Sequence, residues 1–129
     1  MTREEIYNNI KETLGSVPGF IAKLDDAHLE PTWETMKKMF LSETSLGLKV
    51  NALAALGVAY GLEWKHWIEF HTQTARLAGA SEENIEEIKK ISDFISNMNK
   101  FLYEINYDFD KFKEEATEIH QFMASKMGG

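Results

Sequence analysis

Residues 46 to 61, LGLKVNALAALGVAYG, constrain the fold more than any other stretch of this chain. On a helix the run is apolar or small on nearly every side, and a helix apolar all round is expected to be buried all round. Ala52, Ala55 and Ala59 let neighbouring helices approach closely, and Gly57 does the same at some cost in helix propensity. A helix of this kind needs other helices to cover it.

The rest of the sequence supplies them. Residues 2 to 14 begin with Thr2 as an N-cap and Glu4 and Glu5 in the first turn, and Ile6, Ile10 and Leu14 then recur every four residues. Gly15 to Gly19 is a break, and Phe20, Ile21 and Leu24 read as a short helix. Pro31 suits the first turn of the next helix, which carries Trp33, Met36, Met39 and Phe40. Gly61 marks a break before a helix over 63–78 that ends at Gly79. Ser81 caps a long helix to about Ile105, and a last helix from about Asp108 to Lys126 carries Phe109, Phe112, Ala116, Ile119 and Met123. No strand, repeat or low-complexity segment is visible. The expected architecture is an all-α helical bundle of about six to seven helices, one domain over residues 1–129.

The long helix bears Ile88, Ile91, Ile95, Met98, Leu102 and Ile105 at alternating steps of three and four, widened by Phe94 and Phe101. This is a coiled-coil-like seam. It fits either a core-facing helix or a subunit interface, and the spacing does not separate the two.

Composition narrows the function. A net charge of −7 gives no electrostatic support to a nucleic-acid or anionic-membrane partner. The N-terminal MTREEIYNNIKETLG has no apolar core of a signal peptide, and residues 50 to 62 are too short to span a membrane, so the expected location is the cytoplasm. The absence of cysteine removes disulfides, thiolate nucleophiles, iron–sulfur clusters and zinc–thiolate sites.

The densest chemistry lies in EWKHWIEFH, residues 63 to 71. At about 100° per residue, Trp64, Trp67, Ile68, His71, Thr74, Ala75 and Ala78 share one helix face. His66 and His71 are five apart and point away from each other, so they do not chelate one ion, and the His-Glu-x-x-His pattern is absent. Glu63 and His66 form one Glu-x-x-His, the spacing used in di-iron bundles, but no second copy exists in the chain. No metal is expected, and these two residues are the only ligand candidates. His71 sits amid the apolar face. It is either a hydrogen-bonded core histidine or a general acid or base in a tryptophan-lined pocket. Apolar surroundings lower its pKa and a carboxylate neighbour raises it.

The run LGLKVNALAALGVAYGLEWKHWIEFHTQTARLAGASEENIEEI resembles the core of the carboxymuconolactone decarboxylase family, in particular its alkylhydroperoxidase-D-like branch. That core has an Ala-rich helix, then Cys-x-x-Cys-x-x-x-His, then Ala-x-x-x-Gly-[AS]-x-x-x-E-[IL]. HTQTARLAGASEENI matches its second half, GSVPGFIAKL resembles the branch's Gly-x-x-Pro-x-Phe segment, and YDFDKFKEE looks like the start of its closing helix. The resemblance implies an oligomer, a trimer or a hexamer built from dimers. It also places the two cysteine positions on Trp64 and Trp67 and the proton-relay glutamate on Ala52, leaving only His71 of the four peroxidase groups. Thiol peroxidase and disulfide reductase chemistry therefore ranks last.

Two classes of function remain. One is a non-catalytic, redox-inactive oligomer that binds a small molecule or a partner, with Trp64, Trp67, Ile68 and Ala52 lining or filling the old cleft. The other is a cofactor-free acid–base lyase or isomerase acting on a small acidic metabolite through His71. The family's decarboxylase branch works without the thiol pair. Arg76 points off the helix face, however, so a carboxylate substrate has no evident clamp, unless Lys49 or a neighbouring subunit provides one.

Overall fold

In a computed structural model, which describes residues 1–128, α1 (Arg3–Leu14) starts on the expected cap. The Thr2 hydroxyl accepts from the Glu5 amide at 3.2 Å and the Glu5 carboxylate accepts from the Thr2 amide at 3.3 Å, so two amides at the start of α1 are satisfied at once. The helix ends where Gly15 turns left-handed (φ 86°) and donates its amide to the Lys11 carbonyl. A four-residue α2 (Gly19–Ala22) follows, then α3 (Asp26–Phe40), α4 (Leu48–Gly61), α5 (Lys65–Leu77), α6 (Glu82–Glu104) and α7 (Phe109–Met127). The described residues form seven helices and no strand. None of these helices is long and apolar enough to cross a membrane.

Pro31 does not open its helix. α3 begins five residues earlier at Asp26, with Asp25 as N-cap accepting from the His28 amide at 3.0 Å. Proline tends to stop helices because it lacks an N–H and crowds the preceding turn. Here the strong cap upstream and the burial of Leu29 and Trp33 on either side carry the helix through it.

Two clusters of buried residues result. The first joins α1, α2 and α3: Ile6, Ile10, Ile21, Leu29 and Trp33 are buried, with Tyr7, Leu14, Val17, Leu24 and Met36 packed around them. Polar bonds seal its edge. The Trp33 indole donates to the Asn9 side-chain oxygen at 2.7 Å, and Lys37 donates to the same oxygen at 3.1 Å. Arg3 donates to Asp26, to the Tyr7 hydroxyl and to the Leu24 carbonyl, tying α1 to the start of α3.

The second cluster is α4 against α5 and α6, and it is made of small residues: Ala52, Leu56 and Ala59 from α4, His71 and Ala75 from α5, Ile85 and Ser92 from α6. Ser92 donates to the Gly57 carbonyl at 3.0 Å and Ser96 to the Gly61 carbonyl at 3.5 Å, so α6 lies close to α4 at two points about one turn apart. A methyl group on Gly57 would meet Ile88 and Ser92 at ordinary contact distance, 3.7 Å, and anything longer would push α6 away.

One expectation about burial fails. The apolar helix α4 is buried on one face only, and Val50 and Val58 on its outer side are exposed. The seam on α6, which fits a core-facing helix or a subunit interface, is mostly exposed in the protomer, with Leu102 half-buried near its end. Ile85 and Ser92 pack inside and Ile88 lies half-buried, while Ile91, Phe94, Ile95, Met98, Phe101 and Ile105 are exposed. α7 buries no residue, and none of the main helix packings among the described residues involves it.

Candidate functional site

α4 ends at Gly61 in a tight corner. The Leu62, Glu63 and Trp64 amides turn back onto the carbonyls of Val58, Tyr60 and Ala59, and Glu63 takes a left-handed conformation, φ 57°. This corner displaces two sequence-predicted residues. The next helix starts at Lys65 rather than at 63, so Trp64 is its N-cap, extended and 53% exposed, and does not wall a buried pocket beside His71. Glu63 lies outside the helix, so the helical spacing that would bring its carboxylate beside His66 is not realised. Among the described residues no three His, Asp or Glu side chains are grouped to hold a metal.

The remaining candidates do converge. His71 is 8% exposed, in the middle of α5. Its ring lies 5.8 Å from Trp67, 5.3 Å from Phe70 and 5.1 Å from Phe40 at the end of α3. Phe20 from α2 meets Trp67 edge-on at 5.8 Å and Phe70 at 6.4 Å. These separations and the edge-to-face tilts are those aromatic rings prefer. Three hydrophobic rings from two helices thus meet one imidazole, and a fourth, Phe20 from α2, packs on two of those rings. Ile68 is half-buried on the same helix, and Ala52 is buried on α4, which packs against α5.

Phe20, Phe40 and Phe70 were not among the sequence-predicted lining. Phe70 precedes His71 and falls off the assumed face, and Phe40 was read only as part of a helix stripe. The one available signal for Phe20 was its place in the Gly-x-x-Pro-x-Phe segment.

The Nδ1 atom of His71 is buried and meets no hydrogen-bond partner in the protomer. Burial is also the one cause that moves its pKa, downward from 6.5. No carboxylate pulls the other way, so the imidazole is neutral near pH 7. Arg76 is engaged elsewhere: its guanidinium donates to Glu82 at 2.6 and 3.0 Å on the surface. Lys49 is exposed. The site therefore holds one neutral polar group among aromatic rings, and Trp67 is 40% exposed.

This gives a pH dependence with a definite sign. Below 6.5 the unfolded chain takes up a proton at His71 before the folded protein does, so stability rises with pH there. The contribution is complete above 6.5 and is lost as the pH falls through the lowered folded value. Urea unfolding midpoints of the wild type are expected to fall more steeply between pH 7 and pH 5 than those of His71→Phe, which keeps a ring in place without a titrating nitrogen. Parallel profiles would remove His71 as the source.

No family model matches the chain, and no curated protein and no solved structure matches it. The family expectation rests on the residues quoted above.

Proposed function

We propose that this chain is a redox-inactive relative of the alkylhydroperoxidase-D-like branch of the carboxymuconolactone decarboxylase family. In this reading it acts in the cytoplasm as a homo-oligomeric small-molecule-binding protein. The carrying observation is the buried, unpartnered Nδ1 of His71 beside Trp67, Phe70 and Phe40, with Phe20 packed on the first two. A buried polar atom without a partner costs about 1–3 kcal/mol, which a ligand's hydrogen-bonding group relieves. The chemistry that fits is a flat, mostly apolar molecule carrying one polar group. A chain without cysteine has no thiol for peroxide or disulfide chemistry.

A second reading, a cofactor-free acid–base enzyme of decarboxylase or isomerase type, is favoured by the neutral state of His71, which a general base requires. Against it, Arg76 is tied to Glu82, and no second acid or base meets the imidazole.

Diethyl pyrocarbonate labelling of the native protein, read by mass spectrometry, tests the site. His28, His66 and His120 are exposed and serve as references. His71 is expected to react more slowly than these three but faster than the chain unfolds. Small aromatic acids and phenols that quench tryptophan fluorescence are expected to protect it. Modification of His71 only at the rate of global unfolding would mean a sealed ring cluster and would sink the binding reading. Turnover of an acidic lactone that disappears in a folded His71→Ala protein would establish the enzyme instead.

A further inference from the structure

The C-terminal third of the chain presents a surface that a lone protomer does not cover. On α6, Ile91, Phe94, Ile95, Met98, Phe101 and Ile105 form an exposed stripe. On α7, Phe109, Phe112, Ile119 and Met123 form another, with Ala116 completing steps of three and four. Two rows of α7 residues four apart, one from Phe109 to Gln121 and one from Phe112 to Ala124, wall an open groove. A groove between such rows accepts the ridge of another helix. The corner between α6 and α7 is braced locally: the Tyr107 hydroxyl donates to Glu115, and the Tyr107 ring meets Phe112 edge-on at 6.4 Å. Asp108 caps α7 by accepting from the Lys111 amide at 2.9 Å. Tertiary burial of an apolar face supplies most helical stability, and α7 buries none within the protomer.

We propose that this surface is the interface with a second copy of the chain, the α6–α7 arms of two protomers forming a four-helix bundle about a two-fold axis. The proposal rests on the oligomeric part of the reading above and is independent of what His71 binds. Area is the first argument. A folded monomer of 14.8 kDa exposes about 7,000 Å², whereas this protomer exposes 9791 Å². The excess is about 2,800 Å² per protomer and so about 5,600 Å² over a pair, at the top of what an obligate dimer buries, about 2,000–5,000 Å² or more over both partners. Charge is the second. The polar side of α7 carries Asp110, Glu114, Glu115 and Glu118 against Lys111 and Lys126, a balance that disfavours an anionic lipid surface. The third is spacing: the same alternation of three and four on both helices lets each arm serve as the other's complement.

Sedimentation velocity of the full chain, with and without anionic vesicles, is the first measurement. A mass of at least twice 14.8 kDa is expected. The double variant Ile95→Glu, Phe112→Glu is expected to lose it. Since that variant can also unfold, the second measurement uses the cysteine-free background. Single cysteines are placed at Ile91, Ile95 or Met98 in the seam, or at Lys100 on the opposite side of α6. Under mild oxidation at least one seam position is expected to cross-link two chains well ahead of Lys100. A monomer with α7 helical, free or held on vesicles, would overturn both this interface and the oligomeric reading. An oligomer whose seam cysteines cross-link no faster than Lys100 would overturn this interface alone.

Discussion

Trp33→Ala is expected to destabilise the protein by about 3–5 kcal/mol, the range for deleting a fully packed aromatic side chain. Trp33 is 2% exposed and lies among Ile6, Ile10, Ile21 and Leu29, so its loss opens a cavity where three helices meet. It also removes the indole donor from Asn9, although Lys37 still donates to the same oxygen. Chemical denaturation gives the magnitude. Amide exchange gives the location: protection is expected to fall first in α1 and α3 and later in α4 to α6, because the two clusters share few buried residues. A loss below about 1 kcal/mol would mean that the α1–α3 cluster is not the main core.

Leu56→Ala is expected to cost about 2–5 kcal/mol, toward the upper part of that range. The spread at such sites reflects how well the surroundings collapse into the space. Leu56 is fully buried, and its cluster is otherwise Ala52, Ala59, Ala75, Ile85, His71 and Ser92. Alanines have no side chain to move into a void, and α6 is held at a fixed spacing by the Ser92 and Ser96 bonds. Denaturation reads the cost, and faster labelling of His71 is the expected companion effect. An unchanged labelling rate with a small stability loss would show that α4 and α5 close up freely.

Much of the fold was legible because helix ends carry local chemistry. Thr2 and Ser81 act at short range, and both form capping boxes where they were expected. Pro31 misled because its local preference was outweighed by Asp25 upstream and by Trp33 in the core. Trp64 misled for a geometric reason. The helical period carries through the corner at Leu62 and Glu63, so a wheel drawn from 63 puts the tryptophan on a face that the chain has not yet begun to form. The stripes on α6 and α7 were visible as patterns, but a pattern says that a face is apolar and not what covers it. The aromatic cage depends on Phe20 and Phe40, which reach His71 and its neighbours from helices distant in sequence. No local period encodes such a meeting.

The contact of α4 with α6 sets a rule for how this protein can change. Along Gly57, Gly61, Ser92 and Ser96 the helices are spaced by backbone and hydroxyl groups, and the clearance at the two glycines is about that of a single carbon. Truncation of Ser92 or Ser96 removes a bond that holds the spacing, while variants that add more than one carbon at the glycines force the helices apart. Sequence drift at this contact is therefore confined to a few small residues. Redesign of the protein toward new ligands has to leave this spacing as it is.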